Sequence, residues 1–345
     1  MNSRERVFAV LEKKVPDYIP HFEFEIDKKV IHAFGGPNYT YADFVEEVGL
    51  DAIMVSLDYK MRKVDERTFK DEWGIIRKVG MEDYPVALGG EHACIKTMKD
   101  LEAYTPPNLE APHRFKSLKQ VVERFKGEKA IIVRLHDVWS IPRDLHGYEE
   151  LLIDTALNKE IIQKLINLSV NYNKRAAEIA VRIGAEIVVT TDDIAGNDGL
   201  FVSPSTWKEL FWPKFKELFA YYKNLGLYTI KHTDGNIMSI MDELVEVVDC
   251  VNPIDPTAGM NLKKVKERYG RKIAIMGNVD CRKVLVEGTP SEIAAEVKRC
   301  ICEGGPGGGY ILSSSNSIHG GIPLQNYLEM LKIWRKYRKY PLKCS

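Results

Sequence analysis

The sequence lacks the features that mark membrane-spanning, secreted and nucleic-acid-binding proteins. No run of about 18 apolar residues occurs in its 345 residues, so we expect no transmembrane helix. Residues 1–6 are polar and do not begin the apolar core of a signal peptide. Lysine plus arginine and aspartate plus glutamate both number 49, and a net charge of zero does not favour a nucleic-acid partner. We therefore expect a cytoplasmic protein with no nucleic-acid or membrane partner.

Cysteine pairs at metal-binding or redox spacing are also missing. The six cysteines include no C-x-x-C pair, so no zinc ribbon or redox motif is readable. We expect free thiols, which suit a reducing compartment. The first half has no G-x-G-x-x-G loop either, and this weakens the case for an open, doubly wound nucleotide-binding sheet.

What the sequence does contain is a regular alternation of strands and helices. Short β-branched runs are separated by longer amphipathic patterns, and the runs are apolar on both faces, as in parallel sheets covered by helices. Eight strands are predicted, near residues 20, 53, 132, 187, 229, 250, 274 and 311. Eight such units in one chain predict an α/β fold of the (β/α)8 TIM-barrel type.

Residues 58–115 interrupt this alternation. The stretches 68–78 and 84–88 predict a hairpin inserted after strand two, where it would cap one end of the barrel. No domain boundary is apparent elsewhere, so we expect residues 1–345 to form a single domain.

Nearly every predicted strand ends in a carboxylate, imidazole or amide side chain. Barrel enzymes carry their reacting groups at the carboxyl ends of strands, so these residues are candidates for substrate contact or catalysis. Besides strand five, the candidates are Glu23, Glu25, His136, Asp192, Asp193, Asn278 and Asn316. Each one alone could instead cap the following helix, but their accumulation on one rim favours a functional site.

The segment His232-Thr-Asp234-Gly-Asn follows the fifth predicted strand. Residues two apart in an extended chain point to the same side, so the imidazole and the carboxylate should face each other. Such a pair can bind a divalent metal or act as an acid–base pair. Cys281, after strand seven, could add a thiolate ligand to zinc. The alternative is a structural histidine whose neighbour caps the next helix.

An ordered set of motifs resembles the uroporphyrinogen decarboxylase superfamily. The motifs include Asp192-Asp-Ile-Ala, Ser203-Pro-x-x-Trp, Lys231-His-Thr-Asp-Gly-Asn, Asn252-Pro, Met276-Gly-Asn-Val-Asp and Ile322-Pro-x-x-Asn. The resemblance implies a (β/α)8 barrel with a deep pocket at the carboxyl rim. It also implies one of two activities: cofactor-free decarboxylation of a tetrapyrrole polycarboxylate, or methyl transfer that involves a corrinoid protein.

Two departures from the family patterns narrow this choice. The decarboxylase branch carries Arg-Gln-Ala-Gly-Arg-Tyr near its N-terminus, whereas residues 19–25 here are acidic and would repel a polycarboxylate. The coenzyme M branch binds zinc through His-x-Cys after strand five and another Cys after strand eight. Here these positions read His232-Thr-Asp234 and Ser313-Ser-Ser-Asn316. His232 and Asp234, with Cys281 or Glu25, could form a more oxygen-rich site.

The resemblance therefore implies a corrinoid-dependent methyltransferase of the O-demethylase-like kind. Its donor would be a methyl ether, methylamine or betaine. His232 and Asp234 would polarise the leaving heteroatom, directly or through zinc, while Glu23, Glu25 and Asp193 would orient the donor. The chain has no D-x-H-x-x-G motif, so the corrinoid would come from a partner protein. The alternatives are a cofactor-free decarboxylase or lyase and a non-catalytic binding barrel. A homodimer is the default expectation for an enzyme of this size.

Overall fold

The computed structural model describes residues 1–80 and 85–344. Its strands are β1 (Ala52–Ser56), β2 (Arg62–Lys63), β3 (Thr68–Lys70), β4 (Ile76–Val79), β5 (Pro85–Ala87), β6 (Ala130–Leu135), β7 (Ile187–Thr190), β8 (Ala195–Gly196), β9 (Gly199–Leu200), β10 (Tyr228–His232), β11 (Cys250–Asn252), β12 (Ala274–Val279) and β13 (Tyr310–Ser314). Seven of them form one parallel sheet in the order β1-β6-β7-β10-β11-β12-β13. This sheet confirms the seven strands predicted near residues 53 to 311.

The α-helices surround this sheet. They are α1 (Ser3–Leu11), α2 (Lys28–Gly35), α3 (Tyr41–Glu47), α4 (Met98–Ala103), α5 (Lys116–Phe125), α6 (Ser140–His146), α7 (Tyr148–Leu157), α8 (Lys159–Ile183), α9 (Pro204–Thr206), α10 (Trp212–Asn224), α11 (Met241–Leu244), α12 (Leu262–Tyr269), α13 (Val284–Glu287), α14 (Pro290–Gly304) and α15 (Leu324–Tyr337). Within the two described ranges, none of them is long and apolar enough to cross a membrane.

The central strands are apolar on both faces because each face packs against a different cluster. In β6, Ile131 and Val133 join the outer cluster between sheet and helices, whereas Ala130 and Ile132 join a second cluster inside the curl of the sheet. Side chains alternate along a strand, which explains the near-continuous apolar runs. Residues of α1 belong to the inner cluster, so this helix packs against the interior of the sheet.

The eighth predicted strand, near residue 20, is not a regular strand. It is an extended segment that contacts both edges of the sheet: Leu312 N–H donates to the Pro20 carbonyl at 3.0 Å, and Asp51 N–H donates to the His21 carbonyl at 2.9 Å. Pro20 has no N–H to donate. At two places a side-chain carboxylate accepts the backbone bond that a carbonyl would accept in a regular sheet. His21 N–H donates to Asp51 Oδ2, and Ser314 N–H donates to Glu23. One segment bonded to both edge regions means that the sheet curls round on itself.

Glu23 should make the stability of the protein depend on pH. Burial raises the pKa of Glu23 to about 8, so above about pH 4.3 the unfolded chain releases a proton that the folded protein keeps. Stability therefore falls as pH rises and levels off near pH 8. Burial also lowers the pKa of the neighbouring His21 to about 3, so above pH 6.5 that group adds no slope.

Between pH 6.5 and 8, Glu23 should lower the free energy of unfolding of the wild type by about 2 kcal/mol. We expect this decrease to be absent in Glu23→Gln. Glutamine keeps an acceptor for Ser314, and urea unfolding at each pH measures the effect. Glu246→Gln removes the same charge from an exposed side chain and is the matched control. It should leave the slope of stability against pH unaltered. Parallel pH profiles for the wild type and Glu23→Gln would contradict the prediction.

Four short strands, β2 to β5, lie between β1 and β6 and form a separate antiparallel sheet. Of the two stretches predicted as a hairpin, 68–78 contains β3 and β4, and 84–88 contains β5; residue 84 lies outside the described residues. Arg77 of β4 bonds Asp71 and Asp144 of α6, at 2.7 and 3.1 Å. The small sheet is thereby fixed beside the carboxyl rim of the main sheet.

The predicted helix starts are confirmed at two caps. Ser203 accepts from Thr206 N–H, and Thr289 forms a reciprocal capping box with Glu292. After α9, a π-helical turn at Trp207–Phe211 precedes α10. Pro213 has no N–H for the regular helical bond at this point.

The expectation of six free thiols is wrong for two cysteines. Cys302 of α14 and Cys344 form a disulfide, with their Cα atoms 5.5 Å apart and a sequence separation of 42. The pairing arises because α15 packs back along α14 and returns the end of the chain to that helix. Spacing alone cannot predict a pair of this kind.

Candidate functional site

The carboxyl ends of the central strands open onto a cavity of about 2100 Å³. Its floor is built from side chains of the extended first segment and from side chains at or just beyond the carboxyl ends of β6, β7, β10, β12 and β13. They include Phe24, Glu25, Arg134, His136, Asp193, His232, Cys281, Arg282 and Asn316. Residues of β5, α2, α6 and α7 form the walls. The predicted rim therefore holds a cavity large enough for a small-molecule substrate.

Asp193 and His232, both on this floor, form a compact group with Asp234. Their ligand atoms lie within 4.8 Å of one another, with His232 Nε2 3.9 Å from Asp193 Oδ1 and 3.7 Å from Asp234 Oδ1. β7 and β10 are neighbours in the sheet, which brings Asp193 beside the other two. Two carboxylates and one imidazole are a suitable ligand set for a divalent cation.

Asn252 fixes the orientation and tautomer of the His232 ring. Its Oδ1 lies 2.5 Å from His232 Nδ1, while its Nδ2 donates to the Met276 carbonyl at 3.3 Å. The amide oxygen therefore faces His232, so we assign the ring proton to Nδ1 and the lone pair to Nε2. Burial lowers the pKa of His232 to about 4, and the ring stays neutral at pH 7. A neutral imidazole with its second nitrogen bonded in this way is the usual state of a metal ligand.

Phe24 covers one face of the His232 ring, and Arg134 packs against Phe24. The Phe24 ring stacks on His232 with centroids 3.7 Å apart and planes 3° apart. The Arg134 guanidinium lies 4.4 Å from the centre of the Phe24 ring and binds Glu25 at 2.8 Å. Glu25 lines the cavity as predicted, but its charge is paired with Arg134.

Asp234 carries a buried oxygen without a partner. Its Oδ2 accepts from Asn316 Nδ2 at 2.5 Å, whereas its Oδ1 has no hydrogen bond within residues 1–80 and 85–344. Burial, followed by the charge of Asp193, raises the pKa of Asp234 to about 8. An unsatisfied buried oxygen is costly, and a cation or proton at this point would satisfy it. The ligand set therefore fits a divalent cation.

Gly235 allows the turn that aims Asp234 at His232. Its φ is +86°, and a Cβ there would lie 2.5 Å from the Ala195 carbonyl oxygen. Only glycine combines this backbone conformation with such a close approach at low cost.

His136 lines the cavity, and Asp192 lies beneath it. Asp192 Oδ1 is 2.8 Å from His136 Nδ1, and its Oδ2 accepts from the N–H groups of Asp137, Trp139 and Ser140 at 2.8 to 3.0 Å. Asp192 is fully buried and thus caps the start of α6 from a neighbouring strand. The structure places it behind His136, away from the cavity surface where we expected it to meet substrate.

Three other predicted residues are also placed differently. Glu23 is fully buried and accepts from Ser314. Asn278 donates to the Ile254 carbonyl and accepts from Arg299, away from the cavity. Cys281 does line the cavity, but among the described residues the compact group does not include it, and its sulphur accepts from Ser315. A strand-end residue can point into the cavity or away from it, and its type does not tell which.

Comparison with known proteins identifies the family. The sequence profile of the family described as Uroporphyrinogen decarboxylase (URO-D) matches residues 88–337. The chain therefore belongs to the uroporphyrinogen decarboxylase family.

Several relatives of known name are methyltransferases. The chain is 23% identical over 250 residues to the methylcobamide:CoM methyltransferase MtbA of Methanosarcina acetivorans, covering 71% of this chain and 70% of that protein. It is 20% identical over 211 residues to a methylated-thiol–coenzyme M methyltransferase of Methanosarcina mazei, covering 61% and 54%. A solved methyltransferase from Methanosarcina mazei has a TM-score of 0.78 at 18% identity, covering 98% and 99%, and so shares the fold.

Proposed function

We propose that the protein transfers a methyl group from a methylated small-molecule donor to a corrinoid carried by a partner protein. The observation that carries this proposal is the Asp193–His232–Asp234 group, of which Asp193 and His232 line the cavity. The names of the relatives support methyl transfer with a cobamide. The donor would be of the methyl ether, methylamine or betaine type and would lie in the cavity, with the corrinoid approaching from its open side.

Asp193, His232 and Asp234 would hold a divalent cation such as zinc. When bound, the cation would supply Lewis acidity that stabilises negative charge on the leaving heteroatom. Asn252 would keep His232 Nε2 available, Asn316 would hold Asp234 in place, and the stack of Phe24 would keep the ring from turning. Two carboxylates form a harder ligand set than two thiolates, so manganese and iron are also suitable metals.

The charges on the cavity floor favour methyl transfer over decarboxylation of a polycarboxylate. Such a substrate would require free cationic groups at the strand ends. Arg134 is paired with Glu25, and Arg143 is paired with Asp144 at 2.8 Å. Arg282 also lies on the floor, and its charge acts on Asp234. A neutral or cationic donor suits this balance better.

The proposal is tested with the whole protein and two measurements. The protein is incubated with zinc or manganese and freed of unbound metal, and its metal content is then measured. We expect about one bound ion per chain. Methylation of free cob(I)alamin is followed by its visible spectrum with an aryl methyl ether, methylamine, tetramethylammonium and betaine as donors. Failure to bind any metal together with no methylation from any donor would contradict the proposal.

A further inference from the structure

We propose that His136 is the general acid of the reaction: it gives a proton to the heteroatom from which the methyl group departs. Asp192 is its positioning residue. This inference rests on the proposed function and adds a second catalytic group, separate from the Asp193–His232–Asp234 group.

The geometry places His136 at the cavity with one nitrogen free. Its side chain is 42% exposed, and Nδ1 lies 2.8 Å from the buried carboxylate of Asp192. The carboxylate accepts, so Nδ1 carries a proton and Nε2 faces the cavity without a partner in the described part of the chain. β7 lies between β6 and β10, so His136 and His232 project from strand ends roughly 10 Å apart, with Asp193 between them. A donor of ordinary size can touch both.

Asp192 is held more rigidly than a carboxylate that forms a single ion pair. Three backbone N–H groups at the start of α6 bind its Oδ2. Such N–H donors favour the ionised carboxylate, which stabilises a protonated imidazole and fixes its plane through the 2.8 Å contact with His136 Nδ1.

The backbone of His136 is fixed as well. Its N–H donates to Asn173 Oδ1 at 3.1 Å, and its carbonyl accepts from the Tyr222 hydroxyl at 3.5 Å. Three further charged groups face this part of the molecule: Asp193 after β7, Arg143 of α6 and Lys231 of β10. Lys231 is already committed to Asp137 at 2.6 Å, and Arg143 to Asp144, which leaves His136 as the free proton donor.

The chemistry requires such a donor when the leaving atom is oxygen. The bond between the methyl carbon and oxygen breaks, and the oxygen keeps the bonding pair. Cobalt(I) of the corrinoid gives an electron pair to the methyl carbon and becomes cobalt(III). The oxygen takes the proton from His136 Nε2 and leaves as a neutral hydroxyl compound, and solvent then reprotonates the imidazole. A quaternary ammonium donor leaves as a neutral amine and needs no proton.

This difference provides the test. Wild type and His136→Gln are assayed with free cob(I)alamin and three donors: two aryl methyl ethers whose leaving phenols differ widely in acidity, and tetramethylammonium. We expect His136→Gln to lower the rate about 10²- to 10⁴-fold for the less acidic phenol, less for the more acidic one, and by no more than about threefold for tetramethylammonium. Metal content should equal that of the wild type.

His319→Gln is the matched control, because His319 also lines the cavity but its Nε2 bonds the Cys281 carbonyl and no carboxylate. It should not change the dependence on the leaving group. The role of His136 alone would be overturned if His136→Gln lost the same rate with all donors, lost no rate, or lost its metal. A wild type that uses only tetramethylammonium would overturn it as well. If the wild type fails to methylate cob(I)alamin with every one of the donors, the proposed function is overturned, and this inference with it.

Discussion

His232→Gln is expected to weaken binding of zinc or manganese by more than about 100-fold and to lower methyl transfer to cob(I)alamin by about 10³-fold. His232 offers the one nitrogen ligand of the Asp193–His232–Asp234 group. Loss of residues that merely support a ligand costs about 10- to 100-fold in affinity, so loss of the ligand itself should cost more. Metal titration by calorimetry and the cob(I)alamin assay measure the two effects.

Stability has to be followed in the same variant. His232 is only 3% exposed, stacks on Phe24 and bonds Asn252, so its replacement should also cost about 1–3 kcal/mol of folding free energy. Both assays must therefore be run well below the melting temperature of the variant.

Asn252→Leu is the matched comparison for His232→Gln. It removes the acceptor at Nδ1 but leaves all three ligands in place, and it should reduce metal affinity only about 10- to 100-fold. Metal affinity within threefold of wild type in His232→Gln, or a larger loss in Asn252→Leu, would show that His232 is not a ligand.

Lys231→Met is expected to destabilise the protein by about 3–5 kcal/mol. Lys231 and Asp137 are both fully buried, with Nζ 2.6 Å from Asp137 Oδ2 and 2.6 Å from the Asp192 carbonyl. These bonds cross from β10 over β7 to the end of β6, directly beneath the cavity floor. Methionine fills similar space but leaves the Asp137 carboxylate without its counter-charge. Urea unfolding at pH 7 measures the loss.

A double variant separates the charge from the packing. Asp137→Asn in the Lys231→Met background removes the stranded charge and keeps an acceptor for Val138 N–H. We expect it to recover about 2 kcal/mol, because no unpaired buried charge is left. The exposed Lys272→Met, which breaks a surface pair with Glu246, should change stability by less than about 0.5 kcal/mol. A loss below about 1 kcal/mol in Lys231→Met would contradict the prediction.

The sequence by itself determined the features that depend on local pattern. Seven parallel strands follow from apolar runs whose two faces are both buried, and the starts of the helices at Ser203 and Thr289 follow from capping chemistry. The facing of His232 and Asp234 also follows from local geometry, since residues two apart in an extended chain point to one side. The family also follows from the ordered motifs of the sequence.

Only the tertiary structure decided what each polar strand end does. Asp192, Glu23 and Asn278 look like Asp193 and Asn316 in the sequence, yet the first three are buried away from the cavity, whereas Asp193 and Asn316 line it. Their side chains differ in which neighbouring strand or helix lies within reach, and that depends on sheet order. The same reason hid the contacts of Asn252 and Phe24 with His232 and the Cys302–Cys344 disulfide: each joins residues that are distant in sequence, and only the curl of the sheet and the return of the last helix bring them together.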